Sequence, residues 1–473
     1  MSHSDKIRAP HLLPARGGGL GQSLQLLNDR ACICVPHLKE GKGSFRIFTE
    51  GDDLFDAMIA AIDGARKDIR LESFIFAADE VGGRFAKALA DRARAGVDVR
   101  FHFDSRGSLT TPSTRLYQEL MNAGVQLKWY HPWSWRHPSR YFQRDHRKIL
   151  VVDEQEVFLG GFNIRLENSR VLYGEGRQRD THVGVQGELA RRAAMLFDRL
   201  WNHTDDPHVN AIPEDTSEVE ALLVPNSSRR CQQRLACLHA GLISESQSYV
   251  YLTTPFFCPD TMIGTAMQAA ASRGVDVRLL VPRNSDPPFA GWATRAAYEP
   301  LLKARVRIFE YLPRKLHAKT SVIDGWAIIG SANLDHLSLF VNHELVLIAK
   351  APGLREELRD AYMRDLEDAA EVSLSLWMKT RMVRAIRRRD RPSGPESSLM
   401  ASDKTIKANS MEMTLLMPGR DSSDGLAPLW LFAGVVPRGS HRRKRKKKAQ
   451  RRRRCISSQA ANRTAPIANG TRK

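Results

Sequence analysis

The pattern of hydrophobic and polar positions changes its period repeatedly near the start of the chain. Apolar side chains form a short strand-like run at 45–48 and then fall on one face of a helix at 52–66. Strand-like runs at 69–76 and 97–103 follow, separated by a helical pattern at 82–95. Because strands and helices alternate, the pattern predicts an α/β fold in which helices cover the faces of a β-sheet.

The same order of patterns recurs later in the chain. The segment HRKILVVDEQEVFLGGFNI at 146–164 matches HAKTSVIDGWAIIGSANLD at 317–335, and RAGVDVRFHFDSRGS at 94–108 matches SRGVDVRLLVPRNSD at 272–286. The matched segments lie 171 and 178 residues apart. A period this long indicates a duplicated domain and not a solenoid. The first half carries a longer insertion before its copy of the motif.

The two ends of the chain differ in composition from the repeated halves. They are rich in Gly, Pro, Ser and basic residues without clear periodicity, which predicts disorder at both ends. The predicted division is a disordered arm at 1–43, a first half at 44–208, a linker at 209–218, a second half at 219–370, a basic amphipathic segment at 371–391 and a disordered polybasic tail at 392–473.

The chain is strongly basic, with a net charge of +19, and much of that charge lies in one run. Residues 442–454 hold eleven Lys and Arg in thirteen positions, which favours a polyanionic partner such as nucleic acid or an anionic lipid surface. No apolar run approaches the roughly 20 residues of a membrane-spanning helix, so we expect a soluble or peripherally bound protein. The six cysteines lack a metal-binding spacing and are predicted to be free thiols.

The repeated motif begins with a histidine and a lysine two positions apart. His146 and Lys148 open a β-rich run, and residues i and i+2 of a strand share a face, so both side chains are predicted to point the same way. Asp153 lies an odd number of positions further on, on the other face or in the following turn. Structural and catalytic roles are about equally supported for it. The second copy repeats this arrangement with His317, Lys319 and Asp324.

Each motif is followed by residues that are predicted to complete a site. A second strand returns after the turn into a Gly-containing segment, which brings Asn163 in the first half, and Ser331 and Asn333 in the second, beside the His–Lys pairs. A catalytic histidine also needs a carboxylate on its other ring nitrogen to fix its tautomer. Each half offers one downstream, Asp180 and Glu344.

These residue types fit phosphodiester chemistry. Lys and Asn donate hydrogen bonds to non-bridging phosphate oxygens, whose charge must be stabilised in the transition state. An imidazole serves as nucleophile or as general acid, and two imidazoles divide these roles. A single His-x-Lys is usually an accident of sequence, but the recurrence of the polar positions in both halves favours catalysis.

At these residues the sequence resembles the phospholipase D superfamily, whose mark is HxKxxxxD twice in one chain. HRKILVVD and HAKTSVID both fit it completely, and LESFIFAADEVG and GSANLDHLSLFVNHELVL are most similar to bacterial cardiolipin synthases of the branch without N-terminal membrane helices. The resemblance implies two homologous α/β halves, each a central mixed β-sheet flanked by helices, with one active site at their interface. It also implies transfer without metal or cofactor through a covalent phosphatidyl-histidine, with His146 as nucleophile and His317 as acid/base.

The resemblance and the composition together give the expected partners. The predicted enzyme is a phosphatidyltransferase that makes cardiolipin, with phosphatidylglycerol or phosphatidylethanolamine as donor. The aromatics Trp133, Trp135, Tyr141 and Phe142 lie in the insertion before His146 and suit an anionic membrane surface, although a packed loop explains them equally well. We expect peripheral binding to the cell membrane on its cytoplasmic side.

Alternative readings of the function follow from the same residues. The superfamily also holds hydrolases and nucleases, and the polybasic tail fits nucleic acid as well as it fits anionic lipid. A non-catalytic membrane-binding or nucleic-acid-binding scaffold is a weaker alternative, because both His–Lys pairs are intact.

Overall fold

The computed structural model describes residues 35–108, 114–132, 134–136, 141–203, 216–226, 233–285 and 287–379. The chain divides into two units, Met1–Ser393 and Gly394–Lys473, and the second lies wholly outside the described residues. Most of the predicted arm and linker, and all of the predicted polybasic tail, also lie outside them.

A seven-stranded sheet forms the first half. Its strands are β1 (Phe45–Phe48), β2 (Asp68–Ser73), β3 (Asp98–Asp104), β4 (Gln126–Tyr130), β5 (Ile149–Val152), β6 (Glu156–Gly160) and β7 (His182–Gln186). They lie in the order β1-β7-β6-β5-β2-β3-β4. The neighbours β2, β3 and β4 are parallel, and the remaining pairs are antiparallel, so the sheet is mixed.

The second half repeats this sheet and adds one strand. Its strands are β8 (Ala221–Asn226), β9 (Tyr249–Thr253), β10 (Phe257–Cys258), β11 (Asp276–Pro282), β12 (Arg307–Tyr311), β13 (Thr320–Ile323), β14 (Trp326–Gly330), β15 (Leu334–Asp335), β16 (Glu344–Ala349) and β17 (Ala369–Glu371). The large sheet has the order β17-β12-β11-β9-β13-β14-β16-β8, which is the first order with β17 added at one edge. β10 and β15 pair separately, and the bridge between Phe76 and Ile164 takes their place in the first half. The matching order confirms the two homologous halves.

Helices cover the sheets of both halves. Those of the first half are α1 (Gly51–Gly64), α2 (Glu80–Arg94), α3 (Ser105–Ser108), α4 (Thr114–Asn122), α5 (Arg170–Tyr173) and α6 (Glu188–Trp201); those of the second are α7 (Arg234–Glu245), α8 (Thr261–Ser272), α9 (Pro288–Ala296), α10 (Tyr298–Lys303), α11 (His336–Phe340) and α12 (Pro352–Glu367). Local sequence fixes where several of them begin. The Asp79 and Asp260 carboxylates accept hydrogen bonds from the first turns of α2 and α8.

One apolar core belongs to both halves. It contains Val151 and Val183 of the first half and Tyr251 and Leu347 of the second, together with side chains of α6 and α12. Each half also has a core of its own. All residues of β5 are buried, which explains why its sequence is a continuous apolar run without alternation. The interface between the halves is therefore part of the folded core.

Some residues at the edges of the halves differ from expectation. Residues 35–43, predicted as part of a disordered arm, lie against the second half: Leu38 is buried and the amide of Gly41 donates to Lys350 O at 3.2 Å. This contact depends on the tertiary fold, so no local pattern signals it. Cys237 is disulfide-bonded, so the prediction of six free thiols is wrong for this residue, whereas Cys258 is free.

The segment after α12 is only partly described. The predicted amphipathic segment at 371–391 begins with the end of β17 and continues as helix at 374–379, and its later residues lie outside the described part of the chain. The Trp377 ring lies 5.0 Å from the ring of Tyr298, so its described start packs on the second half. Within the described residues, no helix is long and apolar enough to span a bilayer.

Candidate active site

The two His–Lys pairs lie at corresponding ends of the two sheets. His146 and Lys148 precede β5, and His317 and Lys319 precede β13. Lys148 Nζ donates to His146 O at 2.6 Å, and Lys319 Nζ lies 2.9 Å from His317 Nδ1. Both lysines are buried, whereas the His146 and His317 side chains keep 11% and 20% of their surface exposed. Each half thus presents one imidazole beside one ammonium group.

The carboxylates that hold the two histidines are exchanged between the halves. His146 Nδ1 lies 3.0 Å from Glu344 Oε1 of the second half, and His317 Nδ1 lies 2.6 Å from Asp180 Oδ2 of the first. A carboxylate on Nδ1 fixes the tautomer and leaves Nε2 as the reactive atom. Sequence reasoning identified both carboxylates but did not assign them across the interface.

Backbone hydrogen bonds reinforce this exchange. The His146 amide donates to His343 O at 3.0 Å, and the His317 amide donates to Arg179 O at 2.7 Å. His343 and Arg179 each precede the carboxylate that holds the histidine, Glu344 and Asp180. The two pairings are equivalent in the two halves, so one site is built from both and neither half completes its histidine alone.

Burial shifts the pKa values of both histidines and both lysines. It lowers the pKa of His146 and, with the nearby Lys319 ammonium, lowers that of His317 to about 4. Both imidazoles are then neutral near pH 7, and the neutral form is the nucleophile. Burial also lowers the pKa of Lys148 to about 7 and that of Lys319 to about 8. A bound phosphodiester would favour the charged form of both lysines, since an anion nearby stabilises a cation.

The residues predicted to bind substrate take different positions. Asn163 Oδ1 accepts from the Ile75 amide at 3.1 Å, which leaves its Nδ2 as a donor. The Asn333 side chain is instead hydrogen-bonded to Asp335. The Ser331 hydroxyl donates to Glu344 Oε2, so it supports the carboxylate that orients His146.

Asp180 and Glu344 take the histidine-orienting positions that the sequence predicted, so neither is free to bind substrate, and the predicted contact of Ser331 with substrate is replaced by a contact with Glu344. Each carboxylate is turned toward an imidazole, and its remaining oxygen is taken up nearby. Gly161 stands where the second half has Ser331, and a Cβ there would lie 2.0 Å from Asp180 Oδ1. The first half cannot carry the corresponding hydroxyl.

The two motif aspartates lie at the far ends of the strands that follow the His–Lys pairs. The Asp153 carboxylate accepts from the amides of Arg66, Lys67 and Asp68 at 2.7 to 3.0 Å. Asp324 accepts in the same way from the amides of Gln247, Ser248 and Tyr249. Both residues have positive φ in the turn after the strand. Of the two roles left open for these aspartates, the contacts favour the structural one over the catalytic one, because the carboxylate oxygens tie that turn to the start of the neighbouring strand.

A family model described as "Cardiolipin synthase, PLD-like domain" matches residues 58–201 and 240–366. These two stretches contain both His–Lys pairs and both carboxylates, and together they cover more than half of the chain. The chain belongs to this phospholipase D-like cardiolipin synthase family. The family that the sequence resembles and the predicted two-half α/β fold are thereby confirmed.

Individual relatives agree with the family assignment. A protein named cardiolipin synthase from Clostridium perfringens (strain 13 / Type A) is 29% identical over 72% of this chain and 74% of its own length. Cardiolipin synthase 2 from Bacillus anthracis is 31% identical over 72% of this chain and 68% of its own length. The crystal structure of phosphatidylserine synthase from Haemophilus influenzae Rd KW20 shares the fold, with a TM-score of 0.58, 13% identity, and coverage of 78% of this chain and 99% of that one.

The structure of this family member also contains a charged cluster beside His146 that sequence reasoning missed. Arg147 Nη2 pairs with Glu72 Oε1 at 2.5 Å and Arg147 Nε lies 3.5 Å from Asp145 Oδ1, while His102 Nδ1 lies within 3.6 Å of both carboxylates. Burial raises the pKa of Glu72 and of Asp145 to about 7 and lowers that of His102 to about 4. Glu72, His102 and Asp145 are close enough together to ligate a cation. The Arg147 guanidinium already supplies positive charge there, so we regard the cluster as part of the core.

A signal for this cluster was present in the repeat. Asp145 and Arg147 align with Leu316 and Ala318, so charged positions in one half match apolar positions in the other. The sequence does not show that they meet Glu72 and His102, because those residues come from β2 and β3.

Proposed function

We propose that this protein transfers a phosphatidyl group from one phospholipid to a glycerol hydroxyl of phosphatidylglycerol and so makes cardiolipin. The observation that carries the proposal is the exchange of carboxylates, by which each half orients the histidine of the other. Two oriented imidazoles and two buried lysines are the groups that a two-step displacement at phosphorus needs. The relatives named cardiolipin synthase support a lipid substrate.

In the first step, His146 Nε2 attacks the phosphorus of the donor, and the bond from phosphorus to the headgroup oxygen breaks. His317 gives a proton to that oxygen, so free glycerol leaves phosphatidylglycerol, or ethanolamine leaves phosphatidylethanolamine. The negative charge of the bound diester favours the protonated form of His317. Lys148, Lys319 and Asn163 stabilise the charge on the non-bridging oxygens. A phosphatidyl group remains on His146.

In the second step, a hydroxyl of phosphatidylglycerol enters the place that the headgroup left. His317 removes its proton, the oxygen attacks phosphorus and the phosphorus–nitrogen bond breaks. Cardiolipin leaves, and His146 returns to its neutral form with Glu344 on Nδ1. Glu344 and Asp180 stabilise the positive charge that each imidazole carries during the cycle.

The reaction is proposed to occur on the cytoplasmic side of the cell membrane, with the protein bound peripherally. Both substrates reside in a bilayer, and the run at 442–454 fits the negative surface of the cytoplasmic leaflet, at roughly 1 kcal/mol per basic residue near the surface.

A lipid-transfer assay tests the proposal. Purified full-length protein with phosphatidylglycerol vesicles is expected to release cardiolipin and glycerol in equal amounts, measured by mass spectrometry and a coupled glycerol assay. Phosphatidic acid as the only lipid product would favour a hydrolase. Cleavage of DNA without lipid turnover would favour a nuclease. EDTA is expected to leave the rate unchanged, and strong inhibition would contradict the metal-free steps.

A further inference from the structure

Exposed apolar side chains of the first half concentrate in the connections at the site end of its sheet. Strands β4 and β6 end there, and β5 and β7 begin there, so the described parts of the connections at 131–148 and 161–181 lie beside the site. Among the described residues, the first connection exposes Trp135 and Phe142, with 78% of Trp135 accessible. The second exposes Val171, Leu172 and Tyr173 of α5, with 83% of Val171 accessible.

The second half also exposes apolar side chains at the site end of its sheet. Trp292, Leu312 and Leu337 are exposed in the connections that follow β11, β12 and β14, and 71% of Trp292 is accessible. Because the His–Lys pairs of both halves meet at one site, these connections and those of the first half surround it together. We call these eight exposed apolar residues the site rim. Scattered exposed apolar residues are ordinary, but a concentration around one site marks an interaction surface.

The charge of the same connections identifies the kind of partner. Their exposed charged side chains, within the described residues, are the basic Arg136, Arg170, Arg283, Lys303, Arg305 and Lys315 and the acidic Glu175. Apolar and aromatic side chains mixed with Arg and Lys are typical of a surface that enters the headgroup region of an anionic bilayer.

We propose that the site rim is the surface by which the protein docks on an anionic lipid bilayer, with the active site turned toward the lipid. This inference rests on the proposed function, since a lipid diester then has a direct path from the bilayer to His146. Both halves contribute to this surface. Docking would therefore place the active site, which lies between the halves, directly against the bilayer that holds the substrate.

Vesicle binding of full-length variants tests the docking surface. In 1:1 phosphatidylglycerol and phosphatidylcholine vesicles, Val171→Ser/Tyr173→Ser and Trp292→Ser are each expected to weaken partition by about tenfold or more, because they remove apolar surface that the bilayer would bury. Met121→Ser is the matched control. Met121 is exposed to a similar degree as Tyr173, but it lies at the end of α4 away from the site.

Salt concentration separates the site rim from the basic tail. At about 0.5 M salt the electrostatic contribution of the run at 442–454 is screened, so the difference between wild type and site-rim variants should persist. Equal binding of wild type and both site-rim variants at low and high salt would overturn the inference. Dissociation of a dimer by the site-rim substitutions, without a change in vesicle binding, would also overturn it and identify a second copy as the partner.

Activity on dispersed substrate separates this inference from the proposed function. With short-chain phosphatidylglycerol below its micelle concentration, the site-rim variants are expected to match wild type, whereas on vesicles they are slower. A wild type that binds vesicles through the site rim yet makes no cardiolipin from either substrate would contradict the proposed function and leave the docking surface in place.

Discussion

The two halves share a fold and a set of reactive side chains, yet the residues that support their histidines differ. Around His146 the first half buries the charged cluster Glu72, His102, Asp145 and Arg147. At the corresponding positions the second half has Thr253, Leu280, Leu316 and Ala318. Leu280, Leu316 and Ala318 belong to the core that both halves share. The same strand geometry is thus supported by ion pairs in the first half and by apolar packing in the second.

This difference has an energetic consequence. Packing needs no partner of defined charge, whereas a buried ion pair costs desolvation and becomes strongly unfavourable when one partner is lost. Asp145 and Arg147 are the direct neighbours of His146, and the Asp145 amide donates to Asp104 Oδ2 at 3.0 Å. The residues on either side of His146 are therefore held by charged contacts, whereas those on either side of His317 are held by apolar packing. This unequal support accompanies the division of labour that we propose for the two histidines.

The largest expected effect tests that division directly. His146→Ala and His317→Ala should each reduce cardiolipin formation by roughly 10⁴-fold or more, since each removes a nucleophile or an acid/base group. A phosphatidyl ester of p-nitrophenol should separate them, because this leaving group needs no proton. His317→Ala is expected to release one p-nitrophenol per enzyme in a burst and then stall, whereas His146→Ala should release none. The opposite pattern would reverse the assignment.

The exchanged carboxylates give the next largest effect. Glu344→Gln and Asp180→Asn should each lower kcat by about 10²- to 10⁴-fold, because the amide no longer stabilises the imidazolium or fixes its tautomer. Although Glu344 belongs to the second half, its variant should behave like the His146 variant and lose the p-nitrophenol burst. Asp180→Asn should keep the burst. If each carboxylate variant followed the histidine of its own half, the exchange would be contradicted.

Much of the fold was predictable because its signals are local or repeated. The strand and helix patterns at 45–103 correspond to β1, α1, β2, α2 and β3 within a few residues, and the repeat predicted two equivalent sheets. The predicted strand at 69–76 is shorter in the structure and ends at Ser73, after which the chain turns toward the site. The odd spacing of Asp153 left two positions open, the other face of the strand or the following turn, and the structure has it in the turn.

The remaining features depend on how the two sheets dock. Which carboxylate reaches which histidine is decided by the contacts of residues 144 and 179 with the opposite half, and no local period encodes them. Likewise, the sequence indicates only that Ser331 is a small residue beside the phosphate site. Its hydrogen bond to Glu344 depends on the tertiary fold. The sequence did not indicate the buried role of Arg147, because a charged residue in a strand is normally solvent-exposed.

The charged cluster predicts a stability difference between the halves. Arg147→Ala should lower the free energy of unfolding by about 3–5 kcal/mol, since it leaves Glu72 and Asp145 buried without their cation. Both carboxyls already have pKa values raised to about 7, so their protonated forms favour folding below that pH and the stabilisation is lost as pH rises through it. The destabilisation should therefore be larger at pH 8 than at pH 5 in urea denaturation.

The matched control is a fourfold variant that carries, at the cluster positions of the first half, the residue types found at the corresponding positions of the second half. Glu72→Thr, His102→Leu, Asp145→Leu and Arg147→Ala together should recover most of the stability that Arg147→Ala alone loses, because no charge is left unpaired. If the fourfold variant were as unstable as the single one, packing could not replace the ion pairs. If Arg147→Ala matched wild type at both pH values, the cluster would not support His146 through charge.

The smallest effect concerns the two lysines, whose pKa values differ between the halves. Burial lowers the pKa of Lys148 to about 7 and that of Lys319 only to about 8. The negative charge of the Asp335 carboxylate is one of the interactions that raise the pKa of Lys319. In the proposed mechanism both lysines must be protonated to hold phosphate, so kcat/KM should fall as pH rises above 7. Lys148 of the first half has the lower pKa, so it determines the pH at which this decline begins.

Asp335→Asn tests the contribution of the second half to that decline. Asn can still cap α11, where Asp335 accepts from the Ser338 amide, so the fold should be retained. Loss of the carboxylate charge lowers the pKa of Lys319 further, and kcat/KM near pH 8 should drop by up to about tenfold while the rate at pH 6 changes little. Arg165→Gln is the control, because Arg165 occupies the aligned position in the first half and pairs with Glu167. A profile that shifts equally in both variants would mean that the two lysines titrate as one group, and the contrast between the halves would not extend to them.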